Sequence, residues 1–300
     1  MRQRVAVVAG DGIGPEVTTA ALATLGDRFE VVPIDAGADR FLTTGEPITE
    51  DQIQTIAGAD ALLFGAVGDP RVPDGILERG VILRLRQELD LYVNLRPFPD
   101  LGIAFVRENT EGPYSGKGSR VGEVAIELNV NTVGGVTRCV RYAFELAKTR
   151  DGRVTLVHKT NVMQYAGALW REVVEDVSRS FPDITVSYEH ADAAAYHLVT
   201  DHRRFDVVVT DNLFGDILSD LAAGLSGGLG KAASANIHPD PSTRPTACVG
   251  LFEPVHGSAP DITGRGLADP TGAITAAGMM IEALASETAP TPEHLGSFSS

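Results

Sequence analysis

The chain has 300 residues, 43% of them hydrophobic and 22% charged, as expected for a globular protein of one large domain or two smaller ones. Its net charge of −15 disfavours binding to nucleic acid, because an acidic surface repels the phosphate backbone. No apolar run is long enough for a signal peptide or a membrane span, and Cys139 and Cys248 suit a reducing compartment better than a disulfide framework. We therefore expect a cytoplasmic protein without nucleic-acid or membrane partners.

The first part of the chain predicts strands that alternate with helices. Strands are expected at 5–8, 31–34, 59–66, 92–95 and 103–106, and helices at 16–25 and 76–91. The segment GDGIGP at 10–15 is a glycine-rich turn into the first helix, and its spacing differs from the dinucleotide fingerprint G-x-G-x-x-G. Such a turn could bind an anion or could be glycine-rich only because it is tight, and the sequence leaves both open.

The second part continues the alternation. An exposed strand at 124–131 suits a dimer arm, and helices are expected at 137–149, 165–180, 191–199 and 273–284, with strands at 154–158, 184–188 and 207–209. The polar tail from residue 286 is expected to be disordered. Regular strand–helix alternation predicts an α/β fold.

The most informative stretch lies after the buried strand at 207–209. A helix is predicted to begin near Asp216, so that Asp216 and Asp220, four residues apart, project from one face. Their mutual repulsion would be relieved by a cation, and carboxylates suit Mg²⁺ or Mn²⁺. Asp192, in a short apolar helix, offers a third carboxylate. The alternative is that these aspartates only cap and solvate helices.

Three arginines and two proton-transfer candidates complete the pattern. Arg86, Arg96 and Arg107 could form structural ion pairs or could bind the carboxylates of a substrate bidentately. Tyr114 and Lys159 could transfer protons or could be surface residues. Taken alone, these residues favour an α/β enzyme that acts on an anionic substrate.

Six segments strongly resemble the β-decarboxylating dehydrogenases of (2R,3S)-malate derivatives, which include isocitrate and isopropylmalate dehydrogenases. They occur in the family's order, and the match as a whole covers 5 to about 284: VAVVAGDGIGPEV, LRLRQELDLYVNLRP, VRENTEGPY, HKTNV, DNLFGDILSDLAAGLSGGLG and LFEPVHGSAPDITGRGLADPTGAI. The resemblance implies a two-domain isopropylmalate dehydrogenase-like fold with a mixed sheet and no Rossmann fingerprint. The implied divisions are a cofactor-binding domain (1–91 plus 227–285), a second domain (92–226) with a dimer arm near 115–135, and a disordered tail (286–300).

The same resemblance assigns roles. Arg86, Arg96 and Arg107 would hold the substrate carboxylates, Lys159 would take the C2 hydroxyl proton, and Tyr114 would protonate the enolate after CO₂ loss. Asp192, Asp216 and Asp220 would hold Mg²⁺ or Mn²⁺. The implied cofactor is NAD, bound by Asn161, His256, Gly257, Ser258, Ala259, Asp261 and Asp269. The implied assembly is a homodimer in which Lys159 and Asp192 enter the partner's active site.

Residue types then narrow the cofactor and the substrate. A carboxylate at Asp261 can accept from both ribose hydroxyls and would repel a 2′-phosphate, which favours NAD over NADP. The apolar side chains of Ile82 and Leu83 favour an isopropyl group over a carboxylate, so the expected reaction converts 3-isopropylmalate to 2-oxo-4-methylpentanoate. The segment VPDGILERGVILRLR looks especially like actinobacterial 3-isopropylmalate dehydrogenases.

Other features keep alternatives open. VRENTEG and LRQELDLYVNLRP lean toward the isocitrate and homoisocitrate branch, and tartrate or a specialised 3-substituted malate are further candidate substrates. The segment 97–103 is shorter than in isopropylmalate dehydrogenases, and the family's final helices are not found before residue 300, which would suit a shortened paralogue. Lys231 could be a surface lysine or a contact to an extra substrate charge. A non-catalytic regulatory relative is less favoured, because the key site residues are present.

Overall fold

The computed structural model describes residues 2–285, so the disordered tail expected at 286–300 lies outside the described residues. The described residues divide into two compact units. The first contains 2–91 and 227–285, and the second contains 92–226.

Strands and helices alternate along the chain, as the α/β prediction requires. The strands are β1 (Gln3–Gly10), β2 (Phe29–Pro33), β3 (Ala61–Ala66), β4 (Val93–Phe98), β5 (Ile103–Glu108), β6 (Gly118–Val121), β7 (Val124–Glu127), β8 (Arg153–His158), β9 (Thr185–His190), β10 (Val207–Thr210), β11 (Ala233–Ile237) and β12 (Gly250–Pro254). The helices are α1 (Gly14–Leu25), α2 (Ala38–Thr44), α3 (Glu50–Ala57), a π-helical segment (Glu78–Leu83) that leads into α4 (Arg84–Glu88), α5 (Val133–Lys148), α6 (Gln164–Ser178), α7 (Ala191–Thr200), α8 (Asn212–Leu225) and α9 (Thr271–Ala285).

The first unit contains strands in the order β2-β1-β3-β12-β11. β1 is parallel to β2 and β3, β3 is parallel to β12, and β12 is antiparallel to β11. The apolar runs at 5–8 and 61–64 are buried throughout, as expected for central strands with both faces covered. Helices α1 and α9, from opposite ends of the chain, pack against each other.

The second unit contains strands in the order β4-β5-β10-β8-β9. β4 and β5 form an antiparallel pair, and β5, β10, β8 and β9 run parallel. All four residues of β10 are buried, so the predicted strand at 207–209 is confirmed. In both units the sheet is mixed, as predicted.

A separate hairpin of β6 and β7 has exposed residues along the whole of both strands. The predicted exposed strand at 124–131 is therefore real but ends at Glu127, and its partner β6 was missed. β6 reads GSRV, in which glycine and polar residues hide the alternation that identifies strands.

Three predicted helix boundaries are wrong by three or four residues. α5 begins at Val133 rather than at 137, because the Thr132 side chain accepts a hydrogen bond from the Gly135 amide and caps the helix. α8 begins at Asn212 rather than near Asp216, because the Asp211 side chain accepts a hydrogen bond from the Phe214 amide and caps the helix four residues earlier. The helix predicted over 76–91 ends at Glu88, because Asp90 takes a positive φ of 49° that turns the chain toward β4.

Candidate active site

In the second unit, α8 presents the two aspartates that the sequence singled out. Asp216 and Asp220 lie one helical turn apart, and their side chains are 33% and 46% exposed. Burial raises the pKa of Asp220, and the neighbouring Arg96 only partly offsets this effect. The pair is therefore an acidic face that is partly removed from water.

Arg96, from β4, joins both aspartates. Its Nη1 donates to Asp220 Oδ1 at 2.7 Å and to Ser219 Oγ at 2.8 Å, and its Nη2 donates to Asp216 Oδ1 at 3.2 Å. Its Nε donates to Asn94 Oδ1 at 3.0 Å, which fixes the plane of the guanidinium. The arginine is almost fully buried, so its charge is confined to this face.

Arg107, at the end of β5, is the second cation on this face. Its Nη1 donates to Asp216, and its Nε and Nη2 donate to Asn212 Oδ1 at 2.9 and 2.7 Å. A Cβ at Gly215 would lie 2.6 Å from the Arg107 Cγ, so the glycine in this turn of α8 leaves room for the arginine stem.

Tyr114 meets the same carboxylate. Its hydroxyl donates to Asp216 Oδ2 at 2.6 Å, and the Arg107 guanidinium lies 4.9 Å from the centre of its ring. The structure therefore brings together five of the predicted site residues, from β4, β5, the 3₁₀ turn at Pro113–Ser115 and α8. They are Arg96, Arg107, Tyr114, Asp216 and Asp220.

Lys159 and Asp192 form a second cluster in this unit. Lys159 follows β8, Asp192 lies in the first turn of α7, and Lys159 Nζ donates to Asp192 Oδ1 at 2.5 Å. The lysine bond lowers the pKa of Asp192. Asn161 follows on the same turn and is exposed. Within residues 2–285 no three His, Cys, Asp or Glu side chains are grouped so that they could hold a metal ion, so Asp192 does not join Asp216 and Asp220 within one chain.

In the first unit, Arg86 is held in a buried ion pair. Its Nη2 donates to Glu253 Oε1 at 3.1 Å, and the Asn236 amide donates to the same oxygen at 2.8 Å. Ile82 and Leu83, in the π-helical segment before α4, are half-buried. Of this group, Glu253 and Asn236 were missed from the sequence. The sequence did contain one indication of this site, because Glu253 is a charged residue inside the otherwise apolar strand LFEP.

The glycine turn at 10–15 contacts and holds in place the loop that carries the predicted cofactor residues. The Ile13 amide donates to Ser258 O at 2.8 Å, and a Cβ at Gly12 would lie 2.0 Å from that oxygen. Asp11 accepts from the Ala38 and Gly68 amides at 2.8 and 3.0 Å, which ties the turn to two more loops. The turn therefore has a structural reason for its glycines, independent of any anion.

In the loop that carries the predicted cofactor residues, one carboxylate could accept hydrogen bonds from a ligand. Asp261 is exposed, and its carboxylate has no hydrogen bond or ion pair with another side chain described here. Asp269 instead accepts from the Thr271 amide and hydroxyl at 3.0 and 2.6 Å, and these bonds lower its pKa. His256 Nδ1 lies 2.9 Å from the Gly257 carbonyl, Ser258 is buried, and Ala259 has a positive φ of 41°.

The family model for isocitrate/isopropylmalate dehydrogenase matches residues 4–291. The chain belongs to this family. It is 50% identical to the 3-isopropylmalate dehydrogenase of Mycobacterium tuberculosis over 305 residues, which covers 94% of this chain and 88% of the relative. The isocitrate dehydrogenase structure from Methylococcus capsulatus matches with a TM-score of 0.85 and 38% identity, over 94% of this chain and 86% of that one. A β-decarboxylating dehydrogenase from Thermococcus kodakarensis matches with a TM-score of 0.77 and 40% identity, over 94% and 83%.

Membership confirms the resemblance drawn from the six sequence segments, and the structural matches confirm the fold class. The family is one of decarboxylating dehydrogenases. None of the helices in residues 2–285 has the length and apolar character needed to span a bilayer.

The donors on α8 fit a divalent cation of the kind that the family resemblance implies. Carboxylate oxygens are the ligands that Mg²⁺ and Mn²⁺ prefer. Burial raises the pKa of Asp220, and a bound cation would oppose that effect by stabilising the carboxylate. The exposed carboxylate of Asp261 likewise fits the ribose of a dinucleotide, because it has acceptor capacity that no described side chain uses.

Proposed function

We propose that this isocitrate/isopropylmalate dehydrogenase family member is an NAD-dependent oxidative decarboxylase that requires Mg²⁺ or Mn²⁺. Its proposed substrate is 3-isopropylmalate and its product 2-oxo-4-methylpentanoate. The observation that carries the proposal is the cluster of Arg96, Arg107, Tyr114 and Asp216, in which substrate-binding cations, a proton donor and a metal ligand are in direct contact.

The substrate assignment rests on the residues before Arg86 and on the relatives. Ile82 and Leu83 offer only apolar surface, so a γ-carboxylate would lose its hydration there without gaining a partner. The 50% identical relative named 3-isopropylmalate dehydrogenase supports the same substrate. Isocitrate is the second candidate, because the Methylococcus structure carries that name and the VRENTEG segment resembles that branch.

The residues of this chain would divide the chemistry as follows. Arg86, Arg96 and Arg107 bind the substrate carboxylates and orient C2, and Lys159 Nζ receives the proton of the C2 hydroxyl. Bound NAD would supply the hydride acceptor for C2, and a divalent cation held by Asp216 and Asp220 would supply the Lewis acid that favours CO₂ loss. Tyr114 then gives its hydroxyl proton to C3 of the product enolate, and the contact with Asp216 holds that hydroxyl in place beforehand.

The proposed cofactor site is the loop at 256–261, with Asn161 and Asp269 as further contacts. Asp261 would accept from the ribose hydroxyls of NAD and would repel the 2′-phosphate of NADP. Ser258 is anchored through its carbonyl by the glycine turn, so the loop needs little ordering when NAD binds.

The proposed assembly is a homodimer with shared active sites. Lys159 and Asp192 pair with each other and not with the aspartates of α8 in the same chain, so each site would be completed by the partner's lysine and aspartate. The β6–β7 hairpin suits a dimer arm, because Val121, Val124 and Ile126 expose apolar side chains that a second copy would cover. The proposed compartment is the cytoplasm, which suits the two free, buried cysteines.

The test is a substrate panel. Purified protein is incubated with NAD and Mn²⁺ and with 3-isopropylmalate, isocitrate, homoisocitrate or tartrate, and NADH absorbance is recorded, with reactions containing EDTA or NADP as controls. We expect the highest kcat/KM with 3-isopropylmalate, NAD and Mn²⁺. A preference for isocitrate would overturn the reading of Ile82 and Leu83, and no NADH with any member would overturn the enzymatic proposal in favour of a regulatory relative.

A further inference from the structure

The hydroxyl of Tyr188, on the edge strand β9, lies among four polar groups, three of which belong to the residues on either side of Lys159. It donates to the His158 carbonyl at 3.1 Å and accepts from the Thr160 amide at 3.2 Å. The Thr160 hydroxyl lies at 2.9 Å, and His190 Nδ1 also lies at 2.9 Å. The two residues on either side of Lys159 are therefore bound to one oxygen.

The hydrogen-bonding capacity of the Tyr188 hydroxyl is sufficient for three of these contacts at once. A phenol has one proton to donate and two lone pairs. If that proton goes to the His158 carbonyl, the lone pairs can accept from the Thr160 amide and from either the Thr160 hydroxyl or an Nδ1–H of His190. The Tyr188 ring is itself fixed, since the Arg171 guanidinium lies 5.2 Å from its centre and the His190 ring meets it edge-on.

These bonds close a ring around the proposed proton acceptor. His190 is paired with His158 in the β8–β9 register and immediately precedes α7, whose first turn carries Asp192. Asp192 in turn binds Lys159 Nζ. The path from Lys159 through Asp192, His190 and the Tyr188 hydroxyl back to the Lys159 main chain is therefore continuous.

We propose that Tyr188 is a positioning residue for Lys159, a role that rests on the proposed function of that lysine. Before a partner subunit covers it, Asp192 is 70% exposed, and an ion pair that exposed holds the geometry of Lys159 only weakly. Lysine also has four rotatable side-chain bonds. Its ammonium can therefore be held accurately only if the main chain from which the side chain starts is itself fixed. The Tyr188 hydroxyl fixes that main chain on both sides and sets its distance from α7.

The substitution Tyr188→Phe tests this role, because it keeps the ring and its contacts with Arg171 and removes only the hydroxyl. We expect kcat to fall about ten-fold or more, as for other small misplacements of a catalytic group, while KM for substrate and NAD changes less than about two-fold. The matched control is Tyr142→Phe, since the buried Tyr142 hydroxyl has no hydrogen-bond partner among the described residues. Its kcat should equal that of the unmodified enzyme.

A second measurement does not depend on activity. Hydrogen exchange of peptides covering 159–163 should speed up in Tyr188→Phe, because the Thr160 amide loses its acceptor, and the rate at which an amine-acylating reagent modifies Lys159 should change. If the unmodified protein makes no NADH, the proposed function fails, yet these two readouts still test the positioning. Should Tyr188→Phe not fold, the isosteric Thr160→Val removes only the bond between the Thr160 and Tyr188 hydroxyls and should shift the same readouts less. Unchanged kcat, or unchanged exchange and Lys159 reactivity, overturns the proposal.

Discussion

The substitution Gly12→Ala should separate backbone strain from disruption of the proposed cofactor loop. Gly12 has φ +59°, and an alanine Cβ there would lie 2.0 Å from the main-chain oxygen of Ser258. Gly45 is the matched control in the same unit, because it has φ +81° and its Cβ would meet nothing within 4 Å. Both substitutions carry the strain of a positive φ, but only Gly12→Ala must displace the loop.

The structure sets the size of the two effects. A side chain with positive φ costs roughly 1–2 kcal/mol, so Gly45→Ala should lower the free energy of unfolding by about that much. Gly12→Ala should lose that amount and also the Ile13–Ser258 hydrogen bond, worth about 0.5–1.5 kcal/mol, for a total of about 1.5–3.5 kcal/mol. Because Ser258 lies within the 256–261 loop, NAD binding should weaken about ten-fold or more, equivalent to roughly 1.4 kcal/mol.

Urea denaturation would give the two free energies, and titration calorimetry with NADH would give Kd. We expect Gly45→Ala to leave Kd unchanged and Gly12→Ala to raise it. Equal Kd values for the two variants would refute the conclusion that the glycine turn seats the cofactor loop.

Of four further predictions, two address the metal, one the proton donor and one the cofactor. Without metal, Asp220→Asn should change the free energy of unfolding by less than about 1 kcal/mol, because the Asp220 carboxylate is partly exposed. It should, however, reduce the increase in Tm that Mn²⁺ produces in thermal denaturation. An increase in Tm as large as that of the unmodified protein would exclude Asp220 as a ligand. Because burial raises the pKa of Asp220, protonation should compete with Mn²⁺ at a higher pH than for an ordinary carboxylate, so Mn²⁺ Kd should rise on acidification through that range. Tyr114→Phe should lower kcat but leave Mn²⁺ binding intact, and loss of Mn²⁺ binding would contradict its role as proton donor. Asp261→Lys with Ile262→Tyr should lower kcat/KM for NAD and raise it for NADP, and an unmodified enzyme that already prefers NADP would disprove the reading of Asp261.

The sequence predicted the elements that rest on apolar runs and missed those that do not. The buried strands at 5–8 and 207–209 were found because each is an unbroken apolar run made mostly of the β-branched residue valine. β11, with the sequence ASANI, was missed because small and polar residues dominate it. α3 was missed although Thr49 and Gln52 form a capping box that the sequence already contains.

Within the candidate site, the sequence could predict neighbours on one element but not contacts across elements. The four-residue spacing of Asp216 and Asp220 was enough to place them on one helix face. It could not show that Arg96, 120 residues away, would bridge both carboxylates. The bond between Lys159 and Asp192 likewise depends on the parallel pairing of β8 with β9, which sets the end of one strand beside the start of α7.

The pairing of β3 with β12 has a consequence for synthesis on the ribosome. β12 lies next to β3 in the sheet, with Leu251 opposite Leu62, but it is made almost 190 residues later. At a translation rate of about 5–20 residues per second, β12 is synthesised roughly 10–40 s after β3. The continuous segment 92–226 is complete before β12 is made. For most of the time that the chain is being translated, the edge of the apolar strand ALLFGA therefore lacks its β12 partner. This unpaired edge is where a chaperone would be needed and where newly made chains would aggregate.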